Sequence, residues 1–301
     1  MLITVKNKLF GLKRELFRYL IRHSSNKRPD SYPYITGDTF RIYANYIHDD
    51  VSQTIKPEKV EYKQKIFVGI EQVEYFFKHI HPDIKNPYIL ITHNGDIAVD
   101  DKLTPYIDEK IINWFGQNVN TGHEKVIPIP IGIENTKYYC NGIVSMFNAL
   151  IKKKVNKQNR ILYGFKIATN VAERQVAYDY LVNHKLADGI PKRINPKIYL
   201  NMLNKYKFVA SPPGNGIDCH RTWEALYLGA VPIVKSSPGI EYFKKLGYPM
   251  WIVNDWTELN NVDESFLQKK YEKLMNNFDS NLLKIDFWIE KMNLPSYDKD
   301  Y

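Results

Sequence analysis

An arginine and a glutamate three residues apart follow a glycine-rich loop in the second half of the chain. Arg221 and Glu224 come directly after the segment Ser-Pro-Pro-Gly-Asn-Gly-Ile-Asp, residues 211–218. A guanidinium can bind a diphosphate through two parallel hydrogen bonds, and a carboxylate can accept hydrogen bonds from ribose hydroxyls. Residues three apart on a helix share a face. The pair therefore indicates a nucleotide-sugar site, and the alternative is an ion pair on a helix surface.

The sequence around this pair predicts a strand, a loop, a helix and a second strand. Residues 208–210 and 231–234 are short apolar runs with β-propensity. Asp218 suits an N-cap and Gly229 suits the end of the helix. Two strands joined through a helix are expected to be parallel. The helix start then provides backbone N–H groups and a dipole for an anion.

Two glycines in the loop, Gly214 and Gly216, would let a ligand approach the backbone closely. The alternative is that they only shape a turn. The ordered set Pro-Pro-Gly-Asn-Gly-x-Asp-x-His-Arg-x-x-Glu-Ala-x-x-x-Gly-x-x-Pro-Ile, residues 212–233, is more specific than either glycine. It resembles the donor-binding segment of exostosin-like glycosyltransferases. A second segment, Thr-Asn-x-x-x-Arg at residues 169–174, resembles another part of the same family.

This resemblance implies an α/β fold of the GT-B type, in which two Rossmann-like domains face each other across a cleft. Residues 1–140 would form the acceptor-binding domain and residues 141–280 the nucleotide-sugar-binding domain. Residues 281–301 would cross back onto the first domain as a C-terminal helix and tail. The run Ile-Pro-Ile-Gly-Ile, residues 129–133, resembles the stretch that closes the first domain in that family.

The donor-binding residues that the two segments imply are polar or small. Arg174 would bind the diphosphate opposite Arg221, and the alternative is a surface arginine paired with Glu173 or Asp179. The full predicted set is Asn170, Arg174, Ser211, Gly214, Asn215, Gly216, Asp218, His220, Arg221 and Glu224.

Candidates for a general base come from the first domain. Residues 87–92 form an apolar run that predicts a central parallel strand, and ligands of open α/β sheets bind beyond the carboxyl ends of strands. Asp96 and His93 follow this strand, and Asp38 precedes a predicted helix over residues 39–47. We rank Asp96 first, Asp38 second and His93 third. The alternatives are a turn closed by residues 94–95, and a capping role for Asp38.

The resemblance also implies an inverting reaction in a single displacement. Such a reaction needs a base on the acceptor hydroxyl and positive charge near the leaving diphosphate. The two arginines and the helix start would supply that charge without a metal or another cofactor. Asp100-Asp101 is an adjacent pair, unlike the Asp-x-Asp pair of metal-dependent enzymes. The expected activity is therefore metal-independent transfer from a nucleotide sugar to a hydroxyl of a glycan or glycoconjugate.

Composition leaves other functions open. The chain has 301 residues, 42 Lys and Arg against 33 Asp and Glu, and a net charge of +9, which suits an anionic ligand. A non-catalytic protein that binds nucleotides or nucleic acid, or an epimerase of GT-B type, would fit that charge too. We expect no nucleic-acid partner, because the lysines and the 22 tyrosines are spread along the chain.

The sequence predicts a cytoplasmic protein. Two cysteines are too few for a disulfide framework, no apolar run approaches the ~20 residues of a membrane span, and no signal peptide is recognised. Residues 6–23 predict an amphipathic helix with a basic face. This helix either packs its apolar side on the domain or lies on an anionic membrane as a peripheral contact.

Overall fold

The computed structural model describes residues 2–23, 28–191 and 194–293, which form two α/β lobes. The first lobe contains, in chain order, α1 (Leu2–His23), α2 (Gly37–Ile42), β1 (Tyr46–His48), β2 (Lys65–Gly69), α3 (Val73–His79), β3 (Tyr88–His93), β4 (Val99–Asp100), β5 (Ile111–Gly116), β6 (Val119–Asn120) and β7 (Val126–Pro128). Five of these strands form a parallel sheet in the order β1-β2-β3-β5-β7, which follows the chain. β4 and β6 pair with each other separately.

Strand β3 lies at the centre of the first sheet, and all six of its residues are buried. A strand that is covered on both faces needs apolar side chains at successive positions, not at alternate ones. The continuous apolar run predicted this position, and the prediction is confirmed. Its carboxyl end delivers His93 and the turn that follows to one edge of the sheet.

The predicted helix over residues 39–47 is wrong in its length and in its cap. The Thr36 side chain caps α2 by accepting a hydrogen bond from the Thr39 N–H at 3.0 Å. Asp38 lies inside the first turn instead. The chain then leaves the helix because residues 46–48 pair with β2, which satisfies their backbone groups in the sheet.

The second lobe contains α4 (Val144–Ile151), β8 (Gln158–Tyr163), α5 (Val171–Val182), β9 (Ala187–Gly189), α6 (Pro196–Leu203), β10 (Tyr206–Ala210), α7 (His220–Tyr227), β11 (Val231–Lys235), α8 (Pro238–Lys245), β12 (Trp251–Val253), α9 (Glu264–Met275) and α10 (Ile285–Asn293). Its parallel sheet has the order β12-β11-β10-β8-β9. The chain therefore moves outward from β8 to β9, returns to the other side of β8 at β10, and continues in that direction.

The reversal between β8 and β10 is a topological switch point, as in doubly wound sheets of order 2-1-3-4-5. Connections from the two neighbouring strands leave in opposite directions there and open a crevice beyond their carboxyl ends. The residues that follow β8 and β10 must therefore line that crevice. The predicted domain boundary at residues 140 and 141 falls in the segment between β7 and α4.

The last helix returns to the first lobe. The Ile285 N–H donates to the Pro33 carbonyl at 3.0 Å, and Lys65 Nζ donates to the Asn293 side chain at 2.6 Å. Trp288 of α10 is fully buried. Two α/β lobes with parallel sheets face each other across a cleft, and a C-terminal helix crosses back to the first lobe. This is the expected GT-B architecture.

One apolar core extends through both lobes. It includes Phe67 and Ile91 of the first sheet, Trp223 of α7, Phe243 of α8 and Trp288 of α10. The Phe243 ring meets the Trp223 and Trp288 rings edge to face, with centroids 5.0 and 6.4 Å apart. Buried aromatic contacts of this kind dominate core energetics, so the lobes share their stabilisation.

Helix α1 agrees with the amphipathic helix predicted for residues 6–23. Its Phe10 and Phe17 rings pack on Tyr139, with centroids 5.9 and 4.6 Å away. None of the helices in the described ranges is both long and apolar enough to cross a bilayer.

Candidate functional site

The predicted strand–loop–helix–strand unit is confirmed. β10 and β11 are parallel neighbours, with Phe208 opposite Val231. The connecting helix α7 begins at His220, and Gly229 follows its C-cap with φ +67°. That left-handed conformation costs a glycine little and ends the helix cleanly. The loop before α7 lies at the switch point between β8 and β10.

The two loop glycines pack closely against side chains of both lobes. A Cβ at Gly214 would lie 2.5 Å from Arg174 Nη2, and a Cβ at Gly216 would lie 2.5 Å from Asn118 Nδ2. Asn118 belongs to the first lobe and accepts a hydrogen bond from the Asp218 N–H at 3.0 Å. The glycines therefore let the loop seat against both lobes, and close approach by a ligand stays a prediction.

Asp218 is not the N-cap of α7, which corrects the prediction. Its carboxylate turns beneath the helix, where it accepts from the Ile131 N–H at 2.8 Å and from Trp223 Nε1 at 2.9 and 2.7 Å. The N-cap position is Cys219, whose side chain forms no capping bond. Burial raises the pKa of Asp218 to about 6, against these hydrogen bonds, which lower it. Asp218 ties the inter-lobe segment to α7.

The two predicted diphosphate arginines have different surroundings. Arg174 is 6% exposed and donates to the carbonyls of Pro213 and Lys166 and to the Thr169 hydroxyl. Its guanidinium holds the loop after β8 against the loop after β10. Arg221 is half-buried, and its Nε and Nη1 have no hydrogen-bond partner. Buried donors are normally paired, so the unpaired N–H groups of Arg221 remain available to a ligand. The donors of Arg174 are already used within the protein.

Phe165 lies between these arginines. The two guanidinium carbons are 5.8 and 5.7 Å from the centre of its ring, within the range of a cation–π contact. Phe165 follows β8, as the switch point requires. The sequence prediction missed it, although an aromatic residue directly after a strand and a glycine was a usable signal.

Glu224 is 1% exposed and lies on the same side of α7 as Arg221. The Tyr199 hydroxyl donates to its Oε2 at 2.7 Å, while its Oε1 has no partner. Burial raises the pKa of Glu224, in opposition to the Tyr199 bond and the positive charge of Arg221. Tyr199 fixes the carboxyl in place and leaves one oxygen free to bind.

His220 opens α7, and its orientation is fixed by one hydrogen bond. A carbonyl only accepts, so Nδ1 donates its proton to the Gly132 carbonyl at 2.8 Å. In the neutral ring, Nε2 is then an acceptor. The bond also connects the start of α7 to the segment that joins the lobes.

Two further predicted residues support the loop. The Asn170 side chain caps α5 by accepting from the Glu173 N–H at 3.2 Å, and its Nδ2 donates to the Gly214 carbonyl at 3.1 Å. The Ser211 hydroxyl is buried against the Thr222 hydroxyl at 2.9 Å. Both residues therefore shape the loop and helix start from inside.

The structure separates the three candidate bases. Asp96 is exposed, lines the cavity, and accepts a hydrogen bond from Asn215 Nδ2 of the opposite lobe at 3.0 Å. His93 is buried, with Nε2 donating to the Pro130 carbonyl and Nδ1 accepting from the Asn94 N–H. Burial lowers the pKa of His93 to about 4, so its ring is neutral at pH 7.

Asp38 is fully buried within the first lobe. Arg28 donates to its Oδ1 at 2.7 Å and Asn94 Nδ2 does so at 3.2 Å, while the Asp38 N–H donates to the Asn135 side chain. Its Oδ2 has no partner. Neither Asp38 nor His93 lines the cavity, so only Asp96 of the three candidates meets the donor-side residues.

A cavity of about 1550 Å³ lies at the switch point. Single small-molecule pockets usually measure about 300–1,000 Å³, so this cavity is larger than most of them. Donor-side residues and Asp96 line it together with aromatic and apolar side chains of the second lobe. Of the predicted set, the cavity is lined by Asp96, Arg174, Gly214, Asn215, Gly216, Asp218, His220, Arg221 and Glu224.

The described ranges contain no group of three His, Cys, Asp or Glu side chains that could hold a metal ion. The positive groups that line the cavity are arginines, Lys166 and the α7 start. Metal independence itself stays a prediction.

No protein-family model matches the chain, and no curated protein matches its sequence significantly. The resemblance to exostosin-like enzymes therefore stays a hypothesis. Among solved structures, α,α-trehalose-phosphate synthases from three Burkholderia species are similar, and those from B. xenovorans and B. vietnamiensis are described as UDP-forming. The B. xenovorans protein has a TM-score of 0.43 and 10% identity, over 81% of this chain and 75% of that one.

The other two structures are equally distant. The B. vietnamiensis protein has a TM-score of 0.40 and 10% identity, over 79% of this chain and 75% of that one. The B. multivorans protein has the same score and identity, over 79% and 70%. Scores this low do not transfer an activity from those proteins to this chain.

Proposed function

We propose that the protein is a GT-B glycosyltransferase that moves a sugar from a nucleotide-diphosphate sugar to a hydroxyl of a glycan or glycoconjugate. The observation that carries the proposal is the face that α7 presents to the cavity. Arg221 and Glu224 lie one turn apart there, and each has a buried polar atom without a protein partner. A diphosphate and a ribose are the matching ligand groups.

The donor would bind to the second lobe. The diphosphate would lie at the start of α7, where Arg221 and the helix dipole favour negative charge. Glu224, held by Tyr199, would bind ribose hydroxyls. Phe165 and Tyr163 would contact the nucleobase, because both rings line the same wall of the cavity. Arg174 would act indirectly, by keeping the two loops together.

The acceptor would enter from the first lobe, and the reaction would invert the anomeric centre. Asp96 would take the proton of the acceptor hydroxyl, whose oxygen attacks the anomeric carbon. The bond to the diphosphate breaks, and that group leaves with the bonding electrons. Arg221 and the α7 start would stabilise its charge without a metal ion. Asp96 is suited to this role because it faces the donor loop across 3.0 Å at Asn215.

A thermal-shift screen of nucleotides and nucleotide sugars tests donor binding. A ligand that binds the native state raises the melting temperature, so at least one nucleotide-diphosphate sugar should stabilise the wild-type protein. Arg221→Ala should weaken that binding about 100-fold through the loss of charged hydrogen bonds. Arg160→Ala is the matched control, because Arg160 pairs with Asp188 in the same lobe and neither residue lines the cavity.

Stabilisation by nucleic acid alone, steeply reduced by salt, would instead support a non-catalytic binding protein. Equal donor binding in wild type and Arg221→Ala would contradict the proposed site. The activity itself is tested by incubating the stabilising donor with glycan acceptors and measuring nucleoside diphosphate release and the product by NMR. A product with the opposite anomeric configuration supports inversion. Conversion of the sugar nucleotide to another compound in the absence of acceptor would indicate an epimerase. Complete loss of activity on addition of EDTA would contradict metal independence.

A further inference from the structure

Helix α1 has a second apolar face that the first lobe does not cover. Leu9, Leu12, Leu16, Tyr19 and Leu20 are each 54–64% exposed, while Phe10 and Phe17 are packed on Tyr139. Spacings of three and four residues place the exposed five on one side of a helix. Single exposed apolar residues are ordinary, whereas a contiguous row of five marks an interaction surface. We call these five residues the outer face of α1.

The charge of α1 decides what this face contacts. The helix sequence contains six basic residues, at positions 6, 8, 13, 14, 18 and 22, and one acidic residue, Glu15, which gives a net charge of +5. Pairing with α1 of a second copy would bring two such charges together, which opposes self-association. An anionic bilayer offers both an apolar interior for the leucines and negative charge for the basic residues.

We propose that the outer face of α1 docks on an anionic lipid surface, with the helix lying in the plane of that surface. The face sits at the rim of the cleft, because Phe10, Gly11 and Arg14 of the same helix line the cavity. Docking therefore holds the mouth of the cavity beside the lipid headgroups. The proposal concerns membrane binding and is independent of whether the cavity transfers sugars.

Vesicle co-sedimentation of the full chain tests this proposal. We expect binding to phosphatidylcholine vesicles that contain phosphatidylglycerol, weaker binding in high salt, and little binding to phosphatidylcholine alone. The double variant Leu12→Ser with Leu16→Ser should bind at least about tenfold more weakly, because both side chains lose their apolar contact with the bilayer. Both positions are exposed, so the variant should fold normally.

The matched control is Val176→Ser with Val182→Ser, which removes two exposed apolar side chains from α5, on the other lobe. It should bind vesicles as wild type does. Three outcomes overturn the proposal: no binding to phosphatidylglycerol vesicles, equal loss in the control, or unchanged binding by the α1 variant. Concentration-dependent self-association that the α1 variant abolishes, without vesicle binding, would assign the face to a second copy instead. No outcome depends on a sugar nucleotide.

Discussion

The main sheets of the two lobes each contain five described strands, all parallel, but the order of the strands differs. The first sheet keeps its five described strands in chain order, whereas the second reverses direction between β8 and β10. Their polar residues differ accordingly. In the first lobe the hydrogen-bonded His93 and the unpaired Oδ2 of Asp38 do not line the cavity, but in the second Arg221 and Glu224 retain unpaired atoms beside it. Ligands of open α/β sheets bind where the strand order reverses, so the second sheet favours a ligand site and the first does not.

From this difference we expect the two lobes to contribute to different steps of the proposed reaction. The second lobe would determine donor affinity, and the first would contribute a single exposed carboxylate, Asp96, to turnover. Buried polar groups of the first lobe would then affect stability alone. Variants in each lobe can test this division.

The largest effect is expected for Asp96→Asn. Loss of a general base costs about 10²–10⁴ in rate, so kcat should fall about 1,000-fold. Donor affinity should stay within about twofold, since asparagine still accepts the Asn215 bond. Initial rates and donor titration measure the two quantities. Asp83→Asn, at an exposed turn of the same lobe, is the control. A variant that keeps full kcat would remove Asp96 from the reaction.

The next largest effect is expected for His93, whose burial makes the stability of the fold depend on pH. Its folded pKa of about 4 lies below the usual 6.5, so the stability gained from the neutral ring is complete above pH 6.5 and is lost as pH falls towards 4. His93→Gln should retain a donor to Pro130 but lose this dependence. Urea unfolding at pH 7.5 and pH 5 should show wild type losing about 2 kcal/mol more than the variant.

The comparison with the variant cancels the opposite contribution of Asp218, whose raised pKa favours the folded state at lower pH in both proteins. Parallel pH curves for wild type and His93→Gln would show that His93 is not held neutral. A loss of turnover at pH 7.5 beyond the loss of stability would place His93 in the reaction.

A smaller effect is expected at the contact between the lobes. A methyl group at Gly216 would displace the Asn118 amide, which accepts from the Asp218 N–H. Gly216→Ala should lower the free energy of unfolding by about 1–2 kcal/mol and weaken donor binding. Gly122→Ala, where the new Cβ meets nothing within 4 Å, should change neither. Equal behaviour of the two variants in denaturation and donor titration would show that the loop does not depend on this contact.

The smallest effect is expected for Arg221→Lys. The charge remains but the two-pronged geometry is lost, so donor affinity should fall about tenfold, less than for alanine. Donor titration by fluorescence or calorimetry measures it. A lysine variant as weak as the alanine variant would mean that geometry, and not charge, provides the binding.

Local sequence predicted much of the fold. The apolar runs identified β3, β10 and β11, because burial on both faces leaves a continuous signal. The predicted helix over residues 39–47 included the start of strand β1. Three aromatic and β-branched residues are too short a run to distinguish the periodicity of a helix from that of a strand. The order of the strands depends on long-range pairing, so the switch point could not be read from the sequence.

The candidate site was predicted in part for a similar reason. Residue type and spacing identified Arg221 and Glu224, which do line the cavity together. Sequence could not show that Arg174 donates to carbonyls of a loop 38 residues later, or that Asp218 turns under the helix to Trp223. Both outcomes depend on which backbone groups tertiary folding leaves nearby. Threonine and aspartate both suit an N-cap, so residue type could not show that Thr36, and not the predicted Asp38, caps α2.

The aromatic contacts from Trp223 through Phe243 to Trp288 have a mechanical consequence. Two lobes that share one of their apolar cores cannot open like a hinge without exposing that core to water. Calorimetry should therefore record one cooperative unfolding transition for the whole chain. Either lobe expressed alone should fail to fold stably. Substrates would have to enter by small sliding of the loops at the rim, within a frame that stays closed.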